Sequence, residues 1–258
     1  MRVLIASGAL AGSTVAQMLV RFSPSIAAVT SLSPAQACST ADELSLRYAL
    51  QCWDDDSLGK AIFWTPALEV LDVHRSEFAR RVPEDRAPLR GVLRVTLRWE
   101  SRPLQVLCAQ LAHDRVEADW QAAQIAREIE TASGATLALV DDNGAAIDTL
   151  APLTEAASSA PWRTVWFSAP HDPLEAVRAA FGVPGPSGGS RPAAPQPSGL
   201  HLFTSAHLSV LRLLQCEGGS DAACAAVAAD IVSSPADEDD RETRAAASAS
   251  RAESRSGG

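Results

Sequence analysis

Three runs decide the fold. They are Leu89-Arg-Gly-Val-Leu-Arg-Val-Thr-Leu-Arg-Trp99, Arg102-Pro-Leu-Gln-Val-Leu-Cys-Ala-Gln-Leu111 and Thr136-Leu-Ala-Leu-Val-Asp-Asp-Asn143. In the first, Leu93, Val95, Leu97 and Trp99 alternate with Arg94, Thr96 and Arg98, the period of a strand with one wet face. The second is more continuously apolar over residues 104–111, as a central strand should be. Residues 100–103 between them are turn-like, which predicts an antiparallel hairpin. Residues 114–132 read as a helix, because Ala118, Ala122, Ile125 and Ile129 fall on one stripe at helical spacing. Trp120 lies off that stripe, beside Val116 and Ala123, and either packs on a neighbouring loop or marks a partner surface. The third run is the next strand.

Working outward, residues 2–6 form a short apolar run suited to a buried strand. A loop bounded by Gly8 and Gly12 follows, with Ser13 as the expected N-cap of a helix over 14–22. Residues 26–32 make a second apolar strand. A helix is expected over 41–50, and strands over 59–64 and 68–74. The charged residues 75–88 and the acidic triplet Asp54-Asp55-Asp56 read as solvated loops. Past the third run, a strand is expected at 162–167 and a short helix at 173–181. Residues 182–198 are rich in Pro, Gly and Ser and read as a flexible loop. Closing strands are expected at 200–204, 208–214 and 222–232. The tail 233–258 is polar and charged, with the composition of disorder.

Bulk properties narrow the function classes. With 258 residues the chain can form one large domain, and 47% hydrophobic content supports a sizeable core. Only 5% is aromatic, so that core is aliphatic. The net charge of −9, with Lys60 as the only lysine, argues against nucleic acid as a partner. Five cysteines without a CxxC pattern suggest neither a metal cluster nor a disulfide framework, and Cys108 reads as a buried free thiol. No apolar run reaches membrane-spanning length. Gly8, Gly12, Ser13, Thr14 and Gln17 interrupt the N-terminal apolar stretch, which favours a core strand and helix in a cytoplasmic protein over a signal peptide. Gly8-Ala-Leu-Ala-Gly12 before a helix could also meet a dinucleotide phosphate. The three-glycine spacing and the ribose-binding acid are both missing, because the second strand ends in Thr30-Ser31.

The order of these pieces resembles the endonuclease/exonuclease/phosphatase family of metal-dependent phosphoesterases, over residues 1 to about 232. Met1-Arg-Val-Leu is similar to its opening strand, Ile26-Ala-Ala-Val-Thr-Ser-Leu to its second, and Gly59-Lys-Ala-Ile to its Gly-Asn-Ala-Ile strand. Val140-Asp-Asp-Asn is similar to Gly-Asp-Phe-Asn, Phe203-Thr-Ser-Ala-His-Leu to the strand after its Ile-Asp motif, and Gly219-Ser-Asp-Ala to its closing Ser-Asp-His. The resemblance implies a two-layered α/β sandwich, with two mostly antiparallel sheets flanked by helices. It also implies hydrolysis assisted by a divalent metal, usually magnesium, with a His–Asp pair activating water.

Most positions that this chemistry needs are replaced. Ser7 stands where the resemblance wants Asn, Ser31 where it wants the metal-binding Glu, Gln110 and Ala222 where it wants His, and Leu200 where it wants Asp. Asp141, Asn143 and Asp221 remain as relict catalytic positions, and Asp141 and Asn143 can also be read as turn formers. The expectation is a degenerate phosphoesterase without a cofactor, acting as a binding or scaffolding module for a protein or a small phosphorylated ligand. The alternative is an active magnesium-dependent enzyme whose site has moved, with His201 or His113 compensating.

Overall fold

The computed structural model describes residues 1–7, 12–52, 58–79, 90–112, 114–132, 134–141, 162–167, 200–205, 207–216 and 225–233. The expectations for 8–11, Asp54 to Asp56, 173–181, 182–198 and the tail from 234 lie outside these residues, as do His113, Asn143, Asp221 and Ala222. The elements in order are β1 (Arg2–Ser7), α1 (Gly12–Phe22), β2 (Ile26–Leu32), α2 (Pro34–Leu44), β3 (Arg47–Cys52), β4 (Gly59–Trp64), β5 (Glu69–Glu77), β6 (Gly91–Trp99), β7 (Arg102–Gln110), α3 (Arg115–Thr131), β8 (Ala135–Asp141), β9 (Trp162–Phe167), β10 (Leu200–Ser205), β11 (Leu208–Cys216) and β12 (Ala225–Ser233).

The strands form two six-stranded sheets, in the orders β11-β12-β1-β2-β4-β3 and β5-β6-β7-β8-β10-β9. Each is mixed: β1–β2 and β7–β8 are parallel, and the other pairings are antiparallel. The expected α/β sandwich is the observed fold. Residues of alternate parity point to opposite faces, and three apolar clusters follow from that. Ile5, Ala28, Ile62, Val95, Val106, Leu139 and Leu202 fill the space between the sheets. Leu107, Val140 and Phe203 pack beneath α3, against Ala118, Ala122, Ile125 and Ile129. Leu4, Val29 and Phe63 pack beneath α1 and α2. The β6–β7 hairpin turns through Glu100 (φ 50°) and Ser101 (φ 65°), the left-handed pair that a two-residue hairpin loop uses.

Three local expectations are corrected. Residues 41–50 are not one helix: α2 starts at Pro34 and stops at Ser45, which is left-handed, and β3 follows. Ser33 caps α2 by accepting from the Gln36 backbone, while the Gln36 side chain accepts from the Ser33 backbone. Secondly, α1 begins at Gly12, which puts Ser13 inside its first turn. Thirdly, β5 extends to Glu77 and so takes up the start of the segment expected to be loop. Trp120 donates to the Ala79 carbonyl at 2.8 Å, so it lies against the segment leaving β5.

Candidate functional site

The register brings the ends of several strands together on one side of the inter-sheet layer. In one sheet, Lys60 on β4 faces Thr30 on β2 to one side and Gln51 on β3 to the other. In the opposing sheet, Gln110, Asp141 and Leu200 pair in a row across β7, β8 and β10. Gly91 on β6 lies beside Gln110, one step beyond the Val92–Ala109 pair. These residues share parity with the inter-sheet core, so the two rows face each other.

A backbone irregularity follows Thr30 at the end of β2. The β2–β4 register shifts between Thr30 and Leu32, and the extra residue, Ser31, has φ 57°. Without that bulge Thr30 and Leu32 would share a face. Thr30 follows the inward alternation of Ile26 and Ala28, and the bulge turns Leu32 to the other face, where it packs with Val29 beneath the helices. A left-handed serine costs about 1 kcal/mol or more, and the contacts around it offset this. Thr30 Oγ1 donates to Asp141 Oδ2 at 2.6 Å, and Gln110 Nε2 donates to the same oxygen at 2.8 Å. Gln110 Nε2 also donates to Ser31 Oγ at 2.9 Å. Asp141 is 1% exposed.

Lys60, with no exposure at all, sits at the other corner. Its ammonium donates to the Gly91 carbonyl at 2.6 Å. Burial pulls its pKa from 10.5 down to about 8; Cys108 and Cys52 oppose the shift and Arg90 adds to it. Arg90 donates to the Leu111 carbonyl, and the Leu111 amide donates to the Asp141 carbonyl. The Arg90 guanidinium is held below its ordinary range by burial, against the pull of Asp141 and Glu117. Cys108 is buried as expected, and burial pushes its thiol up to about 12, so it is an inert core group.

Of the sequence-predicted residues, Ser31, Gln110, Asp141 and Leu200 come together. Ser7 ends β1, where its backbone pairs with Ala225. His201 does not join them. It pairs with Val140, which belongs to the cluster beneath α3, so it points to the opposite face of the sheet from Asp141. Compensation by His201 is therefore corrected: strand alternation puts its imidazole behind the sheet. Sequence reasoning missed Thr30, Lys60 and Gln51. A lone lysine at the start of an otherwise apolar strand was the available signal for Lys60.

The described residues do not fit the divalent metal that the resemblance implies. Such an ion needs several hard oxygen ligands. Here Asp141 is the only carboxylate in the two rows, and Gln110 and Thr30 turn N–H and O–H donors toward it. Among the described residues no three His, Cys, Asp or Glu side chains are grouped to hold a metal.

Two facing mixed sheets with helices outside are the architecture of the endonuclease/exonuclease/phosphatase fold, and solved structures share it. The human Nocturnin catalytic domain with bound sulfate has a TM-score of 0.64 at 12% identity, over 91% of this chain and 94% of that one. The endonuclease/exonuclease/phosphatase from Bacteroides vulgatus also has 0.64 at 12%, over 90% and 99%. D. rerio TDP2 complexed with a single-strand DNA product has 0.62 at 12%, over 90% and 99%. At these identities the likeness is one of fold. No protein-family sequence profile matches the chain, and no curated protein matches it.

Proposed function

We propose that this phosphoesterase-like protein no longer hydrolyses phosphoesters and serves as a binding or scaffolding module, for a partner protein or a small phosphorylated ligand. The observation that carries the reading is the engagement of Asp141. Its Oδ2 accepts from both Thr30 and Gln110, so the one carboxylate among the described residues of the two rows is engaged in holding the two sheets together. Hydrolysis also needs a proton acceptor near the attacking water. His201 lies behind the sheet, and His207 lies beyond the far end of β10. Loss of a general base alone costs about 10²–10⁴ in rate, and loss of metal assistance adds several kcal/mol to the barrier.

The test is turnover of a generic chromogenic phosphodiester and phosphomonoester with magnesium or manganese, beside an Asp141→Asn variant. The expected result is a background rate for both proteins. Metal-dependent turnover that Asp141→Asn removes would sink the reading and leave Asp141, Asn143 and Asp221 as an active site.

A further inference from the structure

The chain's single lysine is among its most deeply buried side chains. A buried ammonium is costly unless charge and hydrogen bonds compensate it. Among the described residues Lys60 makes one hydrogen bond, to the Gly91 carbonyl, although an ammonium has three N–H donors. The titratable groups that act on it are two thiols and a second cation, Arg90, with no carboxylate among them. Among the described residues this corner therefore holds no negative charge. The Asp141 carboxylate is committed to Thr30 and Gln110.

Beside Lys60 in the same row is Gln51. Its Nε2 donates to the Ser76 carbonyl at 3.0 Å, and its Oε1 is buried with no hydrogen-bond partner. Unmet donors on a cation and an unmet neutral acceptor thus lie on adjacent strands, where β3 and β4 end at Cys52 and Gly59. A bare anion would satisfy Lys60 but leave Oε1 unpaired. An oxyanion that keeps one O–H satisfies both: its charged oxygens accept from the ammonium and its hydroxyl donates to Oε1.

We propose that the cleft binds such a protonated oxyanion, of which hydrogen phosphate is the plain instance, at Lys60 and Gln51 and without a metal. This rests on the non-hydrolytic binding reading and narrows its ligand from a phosphorylated molecule to free phosphate. Sulfate has no proton to offer Oε1. A phosphomonoester is largely a dianion without O–H at neutral pH, so it should bind less well than free phosphate.

The experiment titrates the full chain, in EDTA and at matched ionic strength, with phosphate, sulfate and phenyl phosphate. Calorimetry reads the binding and thermal unfolding reads the stabilisation. Phosphate is expected to saturate and raise Tm, with sulfate and phenyl phosphate at least about ten-fold weaker, the loss that goes with one unmade hydrogen bond to a charged group. Lys60→Met should abolish the binding. Gln51→Leu should retain binding but lose the preference over sulfate. Because Lys60 is the only lysine, side-chain ¹⁵N labelling of the unmodified protein gives one resonance, whose pKa should rise when phosphate is added. That readout stands even if a variant fails to fold. Absence of saturable phosphate binding, equal binding of sulfate, or an unmoved lysine resonance would overturn the proposal. Metal-dependent turnover overturns the non-hydrolytic reading instead, and the two failures are separable because the phosphate titration contains no free metal.

Discussion

The Asp141 corner and the Lys60 corner lie at the same end of one sandwich and bury opposite charges. Asp141 receives two side-chain donors, from Thr30 and Gln110, that reach it from both sheets. Among the described residues Lys60 has a single main-chain carbonyl. The first corner is a finished hydrogen-bond network that ties β2 to β7 and β8. The second is an unfinished one. One end of a sandwich can thus satisfy a buried charge at one corner and leave another under-compensated nearby, because charge satisfaction is local.

The sharpest way to break this contrast is at Gly91. A Cβ there would fall 1.8 Å from the Ser76 carbonyl oxygen, so the β5–β6 pairing must shift. Gly91→Val is expected to cost about 3 kcal/mol or more by overpacking against backbone, measured by urea unfolding. It should also displace the carbonyl that holds Lys60 while leaving the Asp141 contacts in place.

Proton linkage at Lys60 gives the next largest effect. Below about pH 8 both the folded and unfolded lysine are protonated, and the cost of burying the charge is fully present. Between about 8 and 10.5 the folded state releases its proton first, so the unfolded state binds more protons and stability rises with pH. The rise is about 3 kcal/mol in all. Cys108 acts the other way above its ordinary value of 9, since its folded thiol keeps the proton that the unfolded one loses. Denaturant titrations of wild type and Lys60→Met across pH 7–10.5, taken as a difference, cancel the thiol. The difference should narrow as pH rises, and a constant difference would mean that Lys60 does not titrate in this window.

At the finished corner, Gln110→Leu should destabilise by about 2 kcal/mol, because a hydrogen bond to a buried charged group is lost. Thr30→Val should act through the same oxygen, so the double variant is expected to be non-additive. Ser31→Ala, which removes only the acceptor for Gln110, should cost about 1 kcal/mol or less. Equal costs for all three would deny that Asp141 organises the corner.

Much of this was legible in the sequence, for stated reasons. Alternation at Leu93, Val95 and Leu97 and the apolar stripe on α3 gave the hairpin, the helix and their faces. The edge strand β3 was hidden because residues 41–50 carry Ala and Leu at spacings that suit a helix. The Ser33–Gln36 capping box was the signal that the helix starts earlier. The resemblance to the phosphoesterase family gave Ser31, Gln110 and Asp141. Thr30 faces inward by plain alternation with Ile26 and Ala28, but its place beside Lys60 and Asp141 emerges only through pairing across strands, and no residue type announces the bulge at Ser31 that follows it. His201 looked close to the site by chain position, and strand alternation turned it away.

The most direct test of the central claim is a calorimetric titration of the purified chain with manganese and magnesium into the millimolar range, beside Asp141→Ala. The account predicts no saturable site in either protein. A saturable site in the wild type that Asp141→Ala abolishes would contradict it, because Asp141 would then be holding a metal rather than joining two sheets.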